Sequence, residues 1–333
     1  MQTVKLGQTG PVVGALGLGC MGMSPGIYGA SDEAGSIATI RAALAAGVTL
    51  IDTGDFYGMG HNEMLIRRAL DGTPRAQAVL SVKFGALRDP SGGWGGNDCR
   101  PQAVKNFLAY TLRRLGTDYV DIYRPARVDP AVPIEDTVGA VADMVRAGYV
   151  RHIGLSEVGA ETLRRAQAVH PIADLQIEYS LMSRGIETAI LPTARELGIA
   201  ITAYGVLSRG LLSGHIPSSD AKGDIRVVRM PRFAQGNLQK NLSLVEALRR
   251  IGEEKGATPA QLAVAWLRSR GPDIVPVLGA RRKSQFEESL GALALSLGAD
   301  DLKRIDAAVS PGLTAGARYD PAQMAHLDSE APH

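Results

Sequence analysis

Apolar runs alternate with stretches of helical spacing along most of this chain. Eight such runs predict buried strands at residues 15–21, 48–52, 78–83, 119–123, 151–156, 174–179, 199–204 and 273–278. Most of them are continuously apolar and lack the polar–apolar alternation of a half-exposed strand. Continuous runs of this kind are typical of parallel strands that are covered on both faces of a sheet.

The segments between these strands carry signals for helix starts. Asp32 precedes an apolar stripe of helical period, and its side chain is suited to accept hydrogen bonds from the first free N–H groups of a helix. Thr258 followed by Pro259 gives a second start, because proline fits the first helical position. Pro101 and Pro133 mark two more. The chain therefore predicts repeated strand–helix units.

Eight strand–helix units predict a closed (β/α)8 barrel, the TIM barrel, as a single domain over residues 1–333. An open doubly wound sheet is the alternative, but no Ser-, Pro- or Gly-rich linker divides the chain into halves. Residues 1–14 contain a Gln-Thr-Gly turn and predict an N-terminal β-hairpin. Residues 205–257 predict a long excursion of loop and helix, and residues 311–333 a C-terminal loop, both on the active face.

Composition and charge exclude several classes of protein. The hydrophobic fraction of 45% and charged fraction of 21% exclude disorder, collagen and coiled coil. Because 36 Lys and Arg residues balance 34 Asp and Glu residues, no general basic field predicts a nucleic-acid or anionic-membrane partner. Two cysteines and the lack of any apolar run of about 18 residues predict a cytoplasmic protein. The six histidines show no metal-ligand spacing, and the oligomeric state has no signature in the sequence.

A glycine-rich segment after the first strand raises the possibility of a dinucleotide-binding turn. Gly17-Leu-Gly-Cys-Met-Gly22 matches the G-x-G-x-x-G pattern. In that fold the last glycine lies in the first turn of a helix, whereas here Pro25-Gly26 follows and helical spacing resumes only near Asp32. The segment therefore predicts a turn at the end of a barrel strand.

Three polar residues stand at or just beyond the ends of neighbouring strands. Asp52 ends the second strand, Tyr57 follows on the loop, and Lys83 ends the third. A lysine at the end of an apolar strand needs a partner, and Asp52 is the natural one. A lysine cation near Tyr57 would lower the pKa of the phenol from about 10 and suit it to proton transfer at neutral pH. Each residue alone is more often structural, but together they predict a catalytic site.

Further motifs follow in a fixed order along the chain. They are Ile51-Asp-Thr-Gly-Asp-Phe-Tyr-Gly58 with Asn62-Glu63, Val82-Lys-Phe-Gly85, Leu115-Gly-Thr-Asp-Tyr-Val-Asp-Ile-Tyr123, Gly154-Leu-Ser-Glu157, Gln176-Ile-Glu-Tyr-Ser180, Ala203-Tyr-Gly205 and Arg318-Tyr319. Over nearly the whole chain this set resembles the aldo-keto reductase family. The resemblance implies a barrel that reduces a small-molecule aldehyde or ketone with NADPH, or oxidises the alcohol with NADP+.

The resemblance also implies a role for particular residues. Tyr57 would be the catalytic acid, assisted by Lys83 and Asp52. The expected cofactor contacts are Ser156, Glu157 and Gln176 to the nicotinamide carboxamide, Tyr204 stacked on the nicotinamide, Gly205, Leu207, Ser208 and Gly210 near the pyrophosphate, and Gly279, Arg281, Arg282, Gln285 and Ser289 near the adenosine 2′-phosphate. The last group also stands on its own, because a helix start beside several cations is a favourable phosphate site.

The chain departs from the family at one position. Ala126 stands where relatives usually have a histidine that donates a hydrogen bond to the substrate carbonyl. Arg124, Arg127 or a water could supply that donor, or Tyr57 could work alone. Arg127 could equally be a salt-bridged rim residue. An NADP-binding regulatory or weakly catalytic protein is therefore the alternative function. Met23, Tyr28, Trp94 and Arg127 are the expected substrate contacts. An apolar or ring-shaped substrate is predicted by the expected pocket lining, which comprises Met23, Tyr28, Phe56, Phe84, Trp94 and Tyr319.

Overall fold

Eight parallel strands close into a barrel in our computed structural model, which describes residues 1–29, 31–218, 221 and 224–331. In chain order, the strands are β1 (Thr3–Lys5), β2 (Val12–Gly14), β3 (Gly17–Gly19), β4 (Leu50–Gly54), β5 (Val79–Phe84), β6 (Ala86–Arg88), β7 (Trp94–Asn97), β8 (Val120–Pro125), β9 (Val150–Ser156), β10 (Ile172–Glu178), β11 (Ala200–Tyr204) and β12 (Ile274–Gly279). The barrel order is β10–β11–β12–β3–β4–β5–β8–β9. Each predicted strand matches one barrel strand, with ends displaced by two residues at most. The (β/α)8 prediction is confirmed.

Helices surround the barrel, and each of the four helix starts named from the sequence, near residues 32, 101, 133 and 258, begins a helix. They are α1 (Glu33–Ala45), α2 (His61–Ala69), α3 (Pro101–Leu115), α4 (Ile134–Arg146), α5 (Ala160–Val169), α6 (Ile190–Glu196), α7 (Ile225–Arg229), α8 (Gln235–Glu253), α9 (Pro259–Ser269), α10 (Lys283–Leu290), α11 (Ala299–Ala308) and α12 (Pro321–Met324). Asp32 caps α1 by accepting from Gly35 N at 3.0 Å. Thr258 and Gln261 form a reciprocal capping box at α9. Among the described residues, no helix is long and apolar enough to cross a membrane.

The N-terminal hairpin closes one end of the barrel. Strands β1 and β2 pair antiparallel, as predicted for residues 1–14. Leu6 and Val13 are fully buried and share a small core with Leu50, Ile122 and other side chains of the barrel strands. Because this core plugs the amino ends of the strands, the carboxyl ends remain for a functional site.

Long segments cover the carboxyl end of the barrel. Strands β6 and β7 form a hairpin that the sequence pattern did not predict, and Asp89 fixes its turn by accepting from the backbone N–H groups of Ser91 and Gly93. The region 205–257 contains α7 and α8, while residues 219–220 and 222–223 within it lie outside the described residues. The C-terminal segment carries α12 and reaches the end of β9, where Asp328 accepts from Gly159 N at 2.7 Å.

Candidate active site

A buried ion pair lies where β4 and β5 end. Lys83 Nζ donates to Asp52 Oδ1, and both side chains are more than nine-tenths buried. The register of these strands places Asp52 beside Ser81 and Gly54 beside Lys83. The other carboxylate oxygen, Asp52 Oδ2, accepts from Ser81 Oγ at 2.8 Å and from Gln176 Nε2 at 2.7 Å. The predicted Asp52–Lys83 pairing is confirmed, and the carboxylate is fixed by three partners from two strands, β5 and β10.

Tyr57 lies beside this pair, in a tight turn that follows β4. Lys83 Nζ is 5.4 Å from the centre of the Tyr57 ring, and the side chain is buried. Burial raises the pKa of Tyr57 well above its ordinary value, and the negative charge of Asp52 raises it further. The lowered pKa predicted from the sequence is therefore wrong, because burial outweighs a lysine whose charge Asp52 already balances. Tyr57 keeps its proton at neutral pH.

Ser156 and Gln176 are neighbours across the pairing of β9 with β10. Ser156 is 1% exposed, and its Oγ has no hydrogen-bond partner among the described residues. A buried hydroxyl without a partner is costly, by about 1–3 kcal/mol, so its persistence points to a ligand that satisfies it. A carboxamide carries both a donor and acceptors and suits a serine hydroxyl. Ser156 thus fits the nicotinamide carboxamide that the sequence predicts there.

Glu157 is committed to protein partners. Its two carboxylate oxygens accept from Arg318 Nη1 and Nη2, Ser329 Oγ, Tyr204 Oη and Glu178 N. A carboxylate offers about four lone-pair sites, so these donors leave none for a carboxamide. The carboxylate of Glu157 therefore does not make the cofactor contact that the resemblance implies. It ties the C-terminal segment to the end of β9.

Tyr204 is oriented by the same cluster. Its hydroxyl donates to Glu157 at 2.7 Å and lies 2.8 Å from the hydroxyl of Tyr319, which the C-terminal segment contributes. Arg127 Nη2 in turn lies 3.4 Å from the Tyr319 hydroxyl, and its Nη1 donates to Ala126 O at 2.6 Å. Among the described residues, no carboxylate lies within 4.0 Å of Arg127, which argues against a salt-bridged rim role.

Arg124 points into the barrel, beneath the site. It is fully buried and donates to Asp174 at 2.8 Å, to Ser81 Oγ at 2.8 Å and to Leu155 O at 3.4 Å. These bonds hold the guanidinium among the strands. Of the two arginines that could replace the missing histidine as a donor, Arg127 is the one that remains near the open end of the barrel.

The loop after β11 has the backbone of a ligand cradle. Ser208, Arg209 and Gly210 all have positive φ values of 46°, 57° and 104°. A side chain at Gly210 would place its Cβ 2.6 Å from His215 O, so only glycine fits. Non-glycine residues with positive φ are strained by about 1–3 kcal/mol each and cluster where a backbone meets a ligand. Gly205 and Leu207 belong to the same loop, as the pyrophosphate prediction requires.

The predicted phosphate region follows β12. Gly279 has open space around it, and Arg282 is exposed directly before α10. Arg281 Nη1 donates to Tyr28 O at 2.5 Å and so joins this loop to the loop after β3. Gln285 and Ser289 lie on α10, where Ser289 Oγ donates to Gln285 O at 3.1 Å. The structure brings all five predicted residues to one region.

The predicted substrate contacts separate into two groups. Met23 is 1% exposed within the hydrophobic core and offers no open surface. Tyr28 is partly exposed, with the guanidinium of Arg226 at 4.9 Å from its ring centre. Trp94 is 46% exposed on β7. One further residue of this region, Arg88, has no sequence signal, because it lies neither on an apolar stripe nor in a motif. Arg318 belongs to a motif of the resemblance, but its pairing with Glu157 has no sequence signal.

A buried carboxyl next to the Tyr57 turn gives a prediction about stability. Burial raises the pKa of Asp55 to about 8, and the charge of Glu63 adds to the increase. The folded protein therefore binds more protons than the unfolded chain between about pH 4 and pH 8, so its stability falls as pH rises through that range. We expect Asp55→Asn to remove this loss, on the order of 5 kcal/mol.

Urea unfolding at pH 5 and pH 8 measures this difference. Asp300→Asn, which removes an exposed carboxylate, is the matched control and is expected to behave as the wild type. Equal pH dependence in Asp55→Asn and the wild type would contradict the assignment.

Comparison with known proteins identifies relatives along nearly the whole chain. Residues 15–310 match the Aldo/keto reductase family. The chain is 40% identical over 321 residues to "Probable aldo-keto reductase 1" of Glycine max, covering 96% of this chain and 92% of the relative. The glycerol dehydrogenase AKR11B4 from Gluconobacter oxydans is similar in structure, with a TM-score of 0.84, 28% identity and coverage of 96% and 98%. The holo form of the aldo-keto reductase AKR11C1 from Bacillus halodurans has a TM-score of 0.77, 25% identity and coverage of 93% and 97%.

Proposed function

This chain belongs to the aldo/keto reductase family, and we propose that it reduces an aldehyde or ketone to an alcohol with NADPH, using Tyr57 as the proton donor. One observation carries the proposal. A protonated Tyr57, the Asp52–Lys83 ion pair and the Ser156 hydroxyl, which none of the described residues satisfies, meet at the carboxyl end of one barrel. We expect the protein to act in the cytoplasm, where its two buried, unpaired cysteines would remain reduced.

The cofactor would lie across the carboxyl ends of β9 to β12. When bound, its reduced nicotinamide supplies the hydride for the carbonyl carbon. Ser156 Oγ would bind the carboxamide, and Tyr204 would pack against the ring in the orientation that Glu157 fixes. The loop of Gly205, Leu207, Ser208 and Gly210 would surround the pyrophosphate.

Tyr57 would give its proton to the carbonyl oxygen while the carbon gains the hydride, which completes the alcohol. Its raised pKa keeps the proton in place until negative charge develops on the oxygen. Lys83 would stabilise the tyrosinate left behind, because its ammonium lies 5.4 Å from the ring centre. Asp52 positions Lys83 and offsets the cost of burying its charge.

Arg127 is the proposed hydrogen-bond donor in place of histidine. It has no carboxylate partner among the described residues, and its charge acts on both Tyr57 and Lys83. We expect Arg127→Met to lower kcat by about 10²-fold, the usual cost of one donor to a developing oxyanion. Single-turnover rates would measure the loss. Ala126→His in the same background should recover part of the rate, whereas an unchanged rate in Arg127→Met would contradict the assignment of Arg127 as the donor.

Arg282 is the proposed contact to the 2′-phosphate. It is exposed at the start of α10, and no ion pair involves it among the described residues. We expect Arg282→Ala to raise the KM for NADPH about tenfold or more, because a charge-assisted hydrogen bond is lost. The KM for NADH should remain unchanged. Lys303→Ala, which removes an exposed charge on α11, is the control, and equal effects on both cofactors would contradict the assignment.

Ala126 supports a second candidate, an NADP-binding protein with weak or regulatory function, because a methyl group cannot donate a hydrogen bond. The experiment that separates the two mixes the protein with NADPH and neutral aldehydes and ketones, and follows the absorbance of the reduced cofactor. Turnover that depends on Tyr57 supports the reductase. Tight NADPH binding without turnover of any carbonyl supports the second candidate.

A further inference from the structure

Arg88 stands beside the proposed reaction centre, on the hairpin that follows the Lys83 strand. Its guanidinium carbon lies 5.7 Å from the ring centres of both Phe56 and Trp94. The Phe56 ring contacts the Tyr57 ring edge-on, with the ring centres 4.7 Å apart. A single aromatic ring therefore separates the guanidinium from the proposed proton donor.

Arg88 forms no close ion pair within the part of the chain that the structure describes, although the charge of the neighbouring Asp89 acts on it. Among the described residues, no carboxylate oxygen lies within 4.0 Å of it, and its one hydrogen bond, to Gly92 O, is long at 3.5 Å. The adjacent Asp89 uses its carboxylate on Ser91 and Gly93 instead. Arg88 is also partly buried, and burial is the main cause that lowers the pKa of its guanidinium. Its Nε and Nη2 have no partner among the described residues and are not buried, so both are available to bind an anion.

The charges around Arg88 also favour the binding of an anion. Arg229, exposed on α7, acts electrostatically on Arg88. Within the described part of the chain, Asp89 is the one carboxylate that acts on Arg88 in the same way. Two arginines therefore stand against one carboxylate, which leaves a local positive charge, although the whole chain has a net charge of only +2. Such a local field raises the concentration of anionic ligands near a cleft.

We propose that Arg88 binds a carboxylate of the substrate, so that the substrate is an aldehyde or ketone that carries a carboxylate. The claim that this substrate also has a reducible carbonyl group rests on the proposed function. The planar guanidinium fork matches a carboxylate in a two-bond arrangement, and its single charge balances one carboxylate. The rings of Phe56 and Trp94 hold its plane and offer apolar surface to the body of the substrate.

Binding of unreactive ligands tests the carboxylate site without turnover. The protein saturated with NADP+ is titrated with benzoate and with its neutral analogue benzamide by calorimetry. We expect benzoate to bind at least tenfold more tightly, and Arg88→Gln to abolish the difference by weakening benzoate alone. Arg250→Gln, which removes an exposed charge on α8, is the control and should keep the difference. Equal binding of benzoate and benzamide to the wild type would overturn the proposal. An unchanged preference for benzoate in Arg88→Gln would also overturn it, as would a preference that is lost in Arg127→Gln but kept in Arg88→Gln.

Phenyl phosphate distinguishes the two common anionic groups. A guanidinium matched to one negative charge should bind it no more tightly than benzoate. Binding more than tenfold tighter than benzoate would contradict the assignment to a carboxylate.

Kinetics separate this proposal from the proposed function. For 4-carboxybenzaldehyde we expect Arg88→Gln to raise KM at least tenfold with kcat nearly unchanged, and to leave methyl 4-formylbenzoate unaffected, because an anchor contributes equally in the ground and transition states. Reduction of both aldehydes without any effect of Arg88→Gln would overturn the carboxylate site alone. Benzoate binding that depends on Arg88, without reduction of any aldehyde, would overturn the proposed function alone.

Discussion

Replacing Tyr57 with phenylalanine is expected to lower kcat for carbonyl reduction by about 10³-fold. The hydroxyl is the proposed source of the proton for the carbonyl oxygen, and general acids typically contribute 10²–10⁴-fold. The ring and its packing against Phe56 should remain, so the fold and the affinity for NADPH should change little. Single-turnover rates at saturating NADPH measure the loss. Tyr110→Phe, which removes an exposed hydroxyl on α3, is the matched control.

The pH dependence of the same reaction gives an independent check. Burial holds the pKa of Tyr57 well above its ordinary value of 10, so the protonated, active form persists throughout the neutral and moderately alkaline range. We expect kcat for reduction to stay level as pH rises to about 10. A fall in kcat centred between pH 7 and pH 9, absent from Tyr57→Phe, would contradict the raised pKa.

Breaking the buried pair between Glu157 and Arg318 is expected to cost about 3–5 kcal/mol in the free energy of unfolding. Glu157 is completely buried and Arg318 is 8% exposed, so Arg318→Met leaves a carboxylate without its main partner in a site that water does not reach. The pair also holds Tyr204 through the Glu157 carboxylate. We therefore expect a loss of stability together with weaker NADPH binding.

A double-mutant cycle of Arg318→Met and Glu157→Gln measures the coupling energy between the two side chains, from the free energies of urea unfolding at pH 7. The Arg318 guanidinium helps to hold the pKa of Glu157 at about 2 against the effect of burial, compared with 4.5 for an ordinary glutamate. The stability from this pair should therefore be present above about pH 4.5 and be lost as pH falls towards 2, and this loss should be absent from Glu157→Gln. Weaker NADPH binding in Glu157→Gln with unchanged unfolding would contradict the structural role and favour the cofactor contact.

The barrel and the centre of its site could be predicted because both depend on local patterns. Continuous apolar runs fixed the eight strands, and parallel strands bring their carboxyl ends to one face. Asp52 and Lys83 end adjacent strands, so their pairing followed from position alone. The family resemblance then supplied roles for residues on the later strands, such as Ser156 and Tyr204.

The features that were not predicted depend on contacts between distant parts of the chain. Arg318 lies 161 residues from Glu157, and no local pattern links them. The sign of the Tyr57 pKa shift depends on how completely the ring is buried, which the identity of its neighbours does not determine. Arg88 lies in a glycine-rich hairpin without periodicity, and that Asp89 bonds to Ser91 and Gly93 rather than to Arg88 becomes visible only in the structure.

Transfer of deuterium from the cofactor tests the central claim most directly. The protein is mixed with benzaldehyde and with NADPH that carries deuterium at both hydrogen positions of the nicotinamide C4, and the alcohol is analysed by mass spectrometry. If Tyr57 and its neighbours catalyse carbonyl reduction, benzyl alcohol should carry one deuterium on the former carbonyl carbon, and Tyr57→Phe should form it about 10³-fold more slowly. Failure of the wild type to form deuterated alcohol, or its formation at an equal rate in Tyr57→Phe, would contradict the account.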